Sequence, residues 1–211
     1  MKKVSKIKNL SLPKIPVLLL LFAFGFISNA SLAQIKIGIN GGANFSTFTN
    51  TGVTANITLT RKVGFSIGTI AEYPILNNLS IRLNAGYLQR GAQNTVENDN
   101  TLYFDYLELT PYVTYNVINS KVIAKIIVGL SFGHLINAET NKFGMDINLK
   151  DDYKLSNVAS NFGLEIEKKI WAKTSLIFNG IYSVGLKDIS KIGGAEKTND
   201  INLNVGFLYD L

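Results

Sequence analysis

The sequence has no cysteine, one histidine and one tryptophan in 211 residues. Without cysteine there is no disulfide framework, no thiolate nucleophile and no thiol for lipid attachment. With a single histidine and no thiol, no His or Cys cluster exists to hold a metal. Long apolar runs are equally scarce. Pro16 to Ile27 is the one such run, and it falls well short of the ~20 residues that a spanning helix needs. If the rest of the chain crosses a membrane, it does so with strands.

That run has the setting of a secretory leader. Lys2, Lys3, Lys6, Lys8 and Lys14 precede or flank it with no acidic residue among them, and Ser31-Leu32-Ala33 follows as a small-x-small cleavage site. Residues 1–33 therefore read as a cleaved signal peptide, with an uncleaved N-terminal membrane helix as the alternative. The remainder, 34–211, suits one domain. Five of the chain's 21 Lys+Arg lie in the leader, which leaves 16 against 15 Asp+Glu in the domain. The high overall charge of +6 thus belongs mainly to targeting, and a nucleic-acid partner loses its support.

From Gln34 onward the hydrophobic period is two rather than 3.6. Ile35, Ile37 and Ile39 alternate with Lys36, Gly38 and Asn40. Similar alternation recurs over roughly 61–74, 79–91, 103–117, 122–136, 153–168, 173–187 and 199–211. Eight segments joined by alternately long and short links predict an all-β, eight-stranded antiparallel up-and-down transmembrane barrel, with short periplasmic turns and longer extracellular loops. The short turns fall around Asn77-Asn78, Asn119-Ser120 and 169–172.

Glycine decides which face is concave. Gly38, Gly42, Gly64, Gly68, Gly86, Gly129, Gly133, Gly163, Gly185 and Gly206 share the polar face, whereas Gly41 and Gly180 lie on the apolar one. An eight-stranded barrel has an interior barely wide enough for side chains, so the glycine-rich face belongs inside. The apolar face then points outward, which lipid requires and water does not tolerate. A soluble lipocalin-like barrel is the alternative, but its outer face would be dense in Lys and Glu. Tyr73, Tyr115 and Trp171 near the short turns, with Tyr87 and Tyr103 near the long loops, are positioned to form two aromatic girdles.

Several short motifs resemble a known family. Gly41-Gly42-Ala43-Asn44-Phe45-Ser46 resembles the Gly-x-Asn-x-Ser opening of PorT-like, porin-family outer-membrane barrels. Gln89-Arg90-Gly91 resembles that family's Gln-Lys-Gly, and Tyr106-Leu107-Glu108-Leu109 its Tyr-Leu-Glu-Ile-Pro, with Thr110 displacing Pro111 by one position. The size is similar to that of the OmpA and OmpX barrels. The resemblance implies a Gram-negative outer-membrane location and outer-membrane lipid as partner. The C-terminal Phe207, Tyr209 and Leu211 look like an insertion signal for the barrel-insertion machinery. No catalytic residue and no cofactor is carried over.

The residues that bear on chemistry are charges on the lumen face. Glu72, Arg82, Glu108, Lys125 and Glu165 alternate in sign from the second strand to the sixth. Paired ions are tolerable in a narrow lumen and unpaired ones are not. The set reads as a structural charge network, or else as a gate, with Glu72 and Arg82 flanking the Asn77-Asn78 turn as the surest pair. An enzyme is not expected: the single His134 has outward parity, with no Ser at the short spacing that barrel hydrolases use. Asp151-Asp152 reads as a solvated acidic loop. The expected function is that of a non-enzymatic outer-membrane barrel with a filled lumen, structural, accessory or loop-binding; the alternative is a narrow porin-like channel. The segment 137–154 is the longest loop. Its Phe143, Met145 and Ile147 are available as contacts, or to extend the hairpin.

Overall fold

The computed structural model describes residues 35–51, 59–94, 101–142, 145–191 and 195–211. The leader expected at residues 1–33 lies outside them, as does Phe143. Among the described residues nine strands form: β1 Lys36–Thr51, β2 Leu59–Leu76, β3 Leu79–Asn94, β4 Thr101–Asn119, β5 Val122–Lys142, β6 Met145–Asn148, β7 Ser156–Lys169, β8 Thr174–Gly185 and β9 Ala195–Asp210. Eight of them close an antiparallel barrel in the ring order β1-β2-β3-β4-β5-β7-β8-β9, with β9 pairing back onto β1. The short β6 stands outside the ring and pairs only with the end of β5.

Apolar alternation sets the wall. Ile39, Phe65, Ile67, Leu107, Leu164 and Phe178 are exposed outward, while Asn44, Ser46, Asn157, Asn161, Asn179 and Asn204 are buried inside. A Cβ on Gly42 would strike the carbonyl of Leu203, and one on Gly206 that of Ile39. The outward Gly41 has only Ser66 O nearby, at 3.2 Å. Concave curvature, which brings neighbouring strands into the space a side chain would take, explains the sorting of glycine between the faces.

Strand ends depart from the sequence reading. β5 runs to Lys142, six residues past the expected 136, and turns back through β6, with Lys142 opposite Met145. Much of the expected long loop is thus a hairpin standing above the barrel. Alternation cannot mark its length, because beyond Ala138 none of its described side chains is buried on either face. Conversely, β7 starts at Ser156 rather than 153. Tyr153 is instead tucked in as a buried residue of the loop end.

Candidate functional site

The lumen carries two separate layers of charge. Near the short turns, Glu72 on β2 and Arg82 on β3 are direct cross-strand partners. Arg82 donates to Glu72 through Nε at 2.7 Å and also through Nη2, and to Glu165 through Nη1 and Nη2, both at 2.6 Å. Lys125 on β5 reaches Glu72 at 2.8 Å, Glu165 at 3.6 Å and Glu167 at 2.7 Å. Lys36 of β1 completes the chain on Glu167 at 2.6 Å. Three cations face three carboxylates, so the layer is neutral. The side chains of Glu72, Arg82, Lys125, Glu165 and Glu167 are all at most 3% exposed.

Glu108, which the sequence places in series with Glu72, Arg82, Lys125 and Glu165, is not part of that layer. The β3–β4 register sets it opposite Gly86, midway between Arg82 (opposite Tyr112) and Arg90 (opposite Phe104). It accepts from Arg90 Nη1 at 2.5 Å, and Arg90 Nε donates to Asp200 of β9 at 2.7 Å. Arg90 is 1% exposed, and its guanidinium lies 5.1 Å from the Tyr106 ring centre. Sequence order gives neighbouring strands but not equal depth, which is why one expected series resolves into two layers. Arg90, Asp200, Glu167 and Lys36 were missed. Parity was the available signal: Arg90 continues the inward set Arg82, Asn84 and Gly86, Asp200 precedes Asn202 and Asn204, and Glu167 follows Glu165.

Between the layers lies a cavity of ≈ 60 Å³ lined by Asn40, Asn44, Asn84, Glu108, Asn161 and Asn202 together with apolar residues such as Leu88 and Ile181. That volume and lining suit a few waters. Above Arg90 the lumen turns apolar. Phe48, Ala92, Phe104, Tyr106, Leu135, Ala138, Tyr153 and Ile189 pack into one buried cluster, with Leu102 and Leu149 against it. Phe104 meets Phe48 edge-on at 5.0 Å and Tyr153 at 4.6 Å.

Two loop segments supply Tyr153 and Ile189, and they are tied together. Lys154 N donates to Ile189 O at 2.7 Å and Lys191 N to Asp152 O at 2.9 Å. Lys154 Nζ pairs with Asp188 at 2.5 Å. Asp188 also accepts from the backbone N–H groups of Ser190 at 3.0 Å and Glu196 at 2.9 Å. The hydrogen bond from Lys154, helped by those two, holds the Asp188 carboxyl down at about 2. Burial, followed by the nearby Glu196 carboxylate, pushes the Tyr153 phenol above its ordinary range.

The quoted motifs meet in space. The β2–β3 ladder slips between Arg61 and Ser66, opposite the stretch that contains Gln89-Arg90-Gly91. Side chains of β1 occupy the gap. Asn44 Nδ2 donates to Gln89 O at 3.0 Å, while Ser46 Oγ donates to Gly91 O at 2.8 Å and accepts from Gly91 N at 2.6 Å. His134 is exposed on the outer wall. Its cross-strand neighbour is Ser156, a pairing that sequence spacing did not reveal. The Ser156 hydroxyl accepts from Lys187 Nζ at 2.6 Å, so a cation rather than a base is bonded to it. Among the described residues no group of three or more His, Cys, Asp or Glu is placed to hold a metal.

A family profile described as outer membrane protein beta-barrel domain matches residues 28–191. No curated protein matches the chain. Among solved structures the chain is similar to Neisserial surface protein A (NspA), at 12% identity over 84% of this chain and 97% of that one, with a TM-score of 0.56. It is similar to OprG from Pseudomonas aeruginosa at 11% identity, over 85% and 96%, with a TM-score of 0.56. A major outer membrane protein from Thermus thermophilus gives 12% identity, 84% and 99% coverage and a TM-score of 0.52. At these identities the likeness is one of fold.

Proposed function

Because this chain belongs to the outer membrane protein β-barrel domain family, we propose that it is an integral outer-membrane barrel that acts without catalysis, with a lumen closed to solutes and a loop end that serves as its contact surface. The observation that carries this reading is the stacking of three barriers along one axis. The neutral Arg82 layer, the Arg90 layer and the apolar cluster around Phe104 each draw side chains from several strands. A solute would have to break ion pairs of the buried Arg82 and Arg90 at the first two. Breaking a buried pair costs about 3–5 kcal/mol when one partner is left alone.

Export through the leader at 1–33 and folding by the insertion machinery are part of the same proposal. Phe207, Tyr209 and Leu211 stand outward at the end of β9, 44–57% exposed, where such machinery would read them. The PorT-like assignment belongs here too. It is supported by the meeting of Asn44 and Ser46 with Gln89 and Gly91, which gives two of the quoted motifs a shared structural task.

Planar-bilayer recording tests the closed lumen. Sparse, small openings are expected from the wild type. Large steady single-channel currents would overturn the reading in favour of a narrow porin-like channel.

A further inference from the structure

The short-turn end of the barrel carries an excess of positive charge at the level where the lipid-facing wall ends. The β5–β7 register sets Val122 opposite Lys168, so the turn holding Lys121 borders the turn that runs from Lys169 to Lys173. The β8–β9 register sets Thr174 opposite Tyr209, and Asp210 N donates to Lys173 O at 2.8 Å, which draws the end of β9 into the same patch. Lys121, Lys168, Lys169 and Lys173 are exposed there. Asp210 takes Lys169, at 3.3 Å. The neighbouring Glu167 is turned inward and is bonded to Lys125 and Lys36. Among the described residues Lys121, Lys168 and Lys173 have no carboxylate partner. Lys173 Nζ instead lies 5.8 Å from the Tyr209 ring centre.

The surroundings of these lysines are those of a membrane interface. Trp171 is 68% exposed within the turn, and Tyr115 and Tyr209 are 49% and 44% exposed. Directly along β7 from Lys168, Ile166 and Leu164 face outward at 53% and 68%. Lysines at the edge of an apolar band extend their ammonium groups to headgroup depth. Three unneutralised cations beside an aromatic girdle complement a phosphate that carries net negative charge.

We propose that Lys121, Lys168 and Lys173, with Trp171, form a binding site for the headgroup phosphate of an anionic phospholipid in the periplasmic leaflet. The inference rests on the chain being an outer-membrane barrel with its short turns at the periplasm. A lysine held at an anionic surface contributes about a fivefold gain in binding, so an overall preference of roughly that size or more is expected for anionic over zwitterionic lipid.

Trp171 is the chain's single tryptophan, so its fluorescence reads this site alone. The full barrel is refolded into phosphatidylcholine vesicles that contain either brominated phosphatidylglycerol or brominated phosphatidylcholine, and quenching is compared. The wild type should be quenched preferentially by the anionic lipid, with the preference shrinking as salt rises. The triple variant Lys121→Gln, Lys168→Gln, Lys173→Gln should quench equally with both. Equal quenching of the wild type, a preference indifferent to salt, or a preference kept by the triple variant would each overturn the site. Absence of quenching by either lipid in the wild type would overturn the membrane reading itself, and the site with it.

Discussion

Ser46 and Gly91 exchange two hydrogen bonds across the barrel although β2 lies between their strands. The Ser46 hydroxyl accepts from Gly91 N at 2.6 Å and donates to Gly91 O at 2.8 Å. Ser46 is fully buried. The slip in the β2–β3 ladder would otherwise orphan both backbone groups, and buried backbone groups in native proteins rarely go unpaired. The same arrangement fixes the chain on either side of Arg90, and so aims that guanidinium at Glu108 and Asp200.

Ser46→Ala removes both bonds and leaves a buried N–H and C=O without partners. The expected loss is about 1–3 kcal/mol. Urea unfolding of the refolded barrel in detergent micelles, followed by the gel-mobility difference between folded and unfolded forms, measures it. A variant as stable as the wild type would show that the ladder slip is solvated rather than bridged.

Glu72→Gln strikes the lower charge layer where it is most connected. Glu72 serves both Arg82 and Lys125, and its loss leaves three cations facing two carboxylates. Stability should fall by about 3–5 kcal/mol, the range for an uncompensated buried charge. Replacing a carboxylate by an isosteric amide opens no hole, so conductance in planar bilayers should stay as low as in the wild type. Large currents from Glu72→Gln would instead make this layer a gate.

The barrel wall was more legible in the sequence than the contents of its lumen. A period of two, glycine on one face and alternating link lengths are local signals, and they suffice for eight strands and an inside. Glu72 and Arg82 were readable as a pair because a tight turn forces them opposite each other. Glu108 was not assignable by the same logic, since its choice of Arg90 over Arg82 depends on register and stagger around the ring. The apolar plug was hidden for a different reason. Phe104, Tyr106 and Leu135 have inward parity, but Tyr153 folds as a loop end where alternation predicts the start of a strand, and Ile189 lies beyond the alternating segment 173–187.

The tie between the two loop segments should be sensitive to acid, and only to strong acid. Asp188 is held at about 2 in the fold, below the ordinary 3.8 of an aspartate. A depressed carboxyl contributes its stabilisation fully above the unfolded value, and loses it as pH falls through the folded one. The contact with Lys154 should therefore be intact above about pH 4 and fade towards pH 2. Because the Ser190 and Glu196 amides donate to Asp188, their NMR shifts should titrate together with a midpoint near 2. A midpoint at the ordinary aspartate value would mean that Asp188 is free in solution.

The hairpin above the barrel separates two roles that the sequence lumps into one loop. Met145 and Ile147 of β6 are 65% and 45% exposed, and β6 pairs with the end of β5. At the base of the same segment Ala138 belongs to the buried plug and Leu149 packs against it, and Lys150 Nζ donates to Ile136 O at 2.8 Å. Replacing residues 145–148 by a Gly-Ser linker should leave insertion, heat-modifiable gel mobility and unfolding by urea unchanged, because Met145 to Asn148 are all exposed and none lines the lumen. Replacing 138–150 should lower stability and open the Tyr153 region to protease, because it deletes two walls of the plug and one of the anchors for the loop. If binding to the cell's envelope partners is lost with the short replacement alone, the exposed face of β6 is the contact surface. If binding survives both replacements, recognition does not lie in this loop at all.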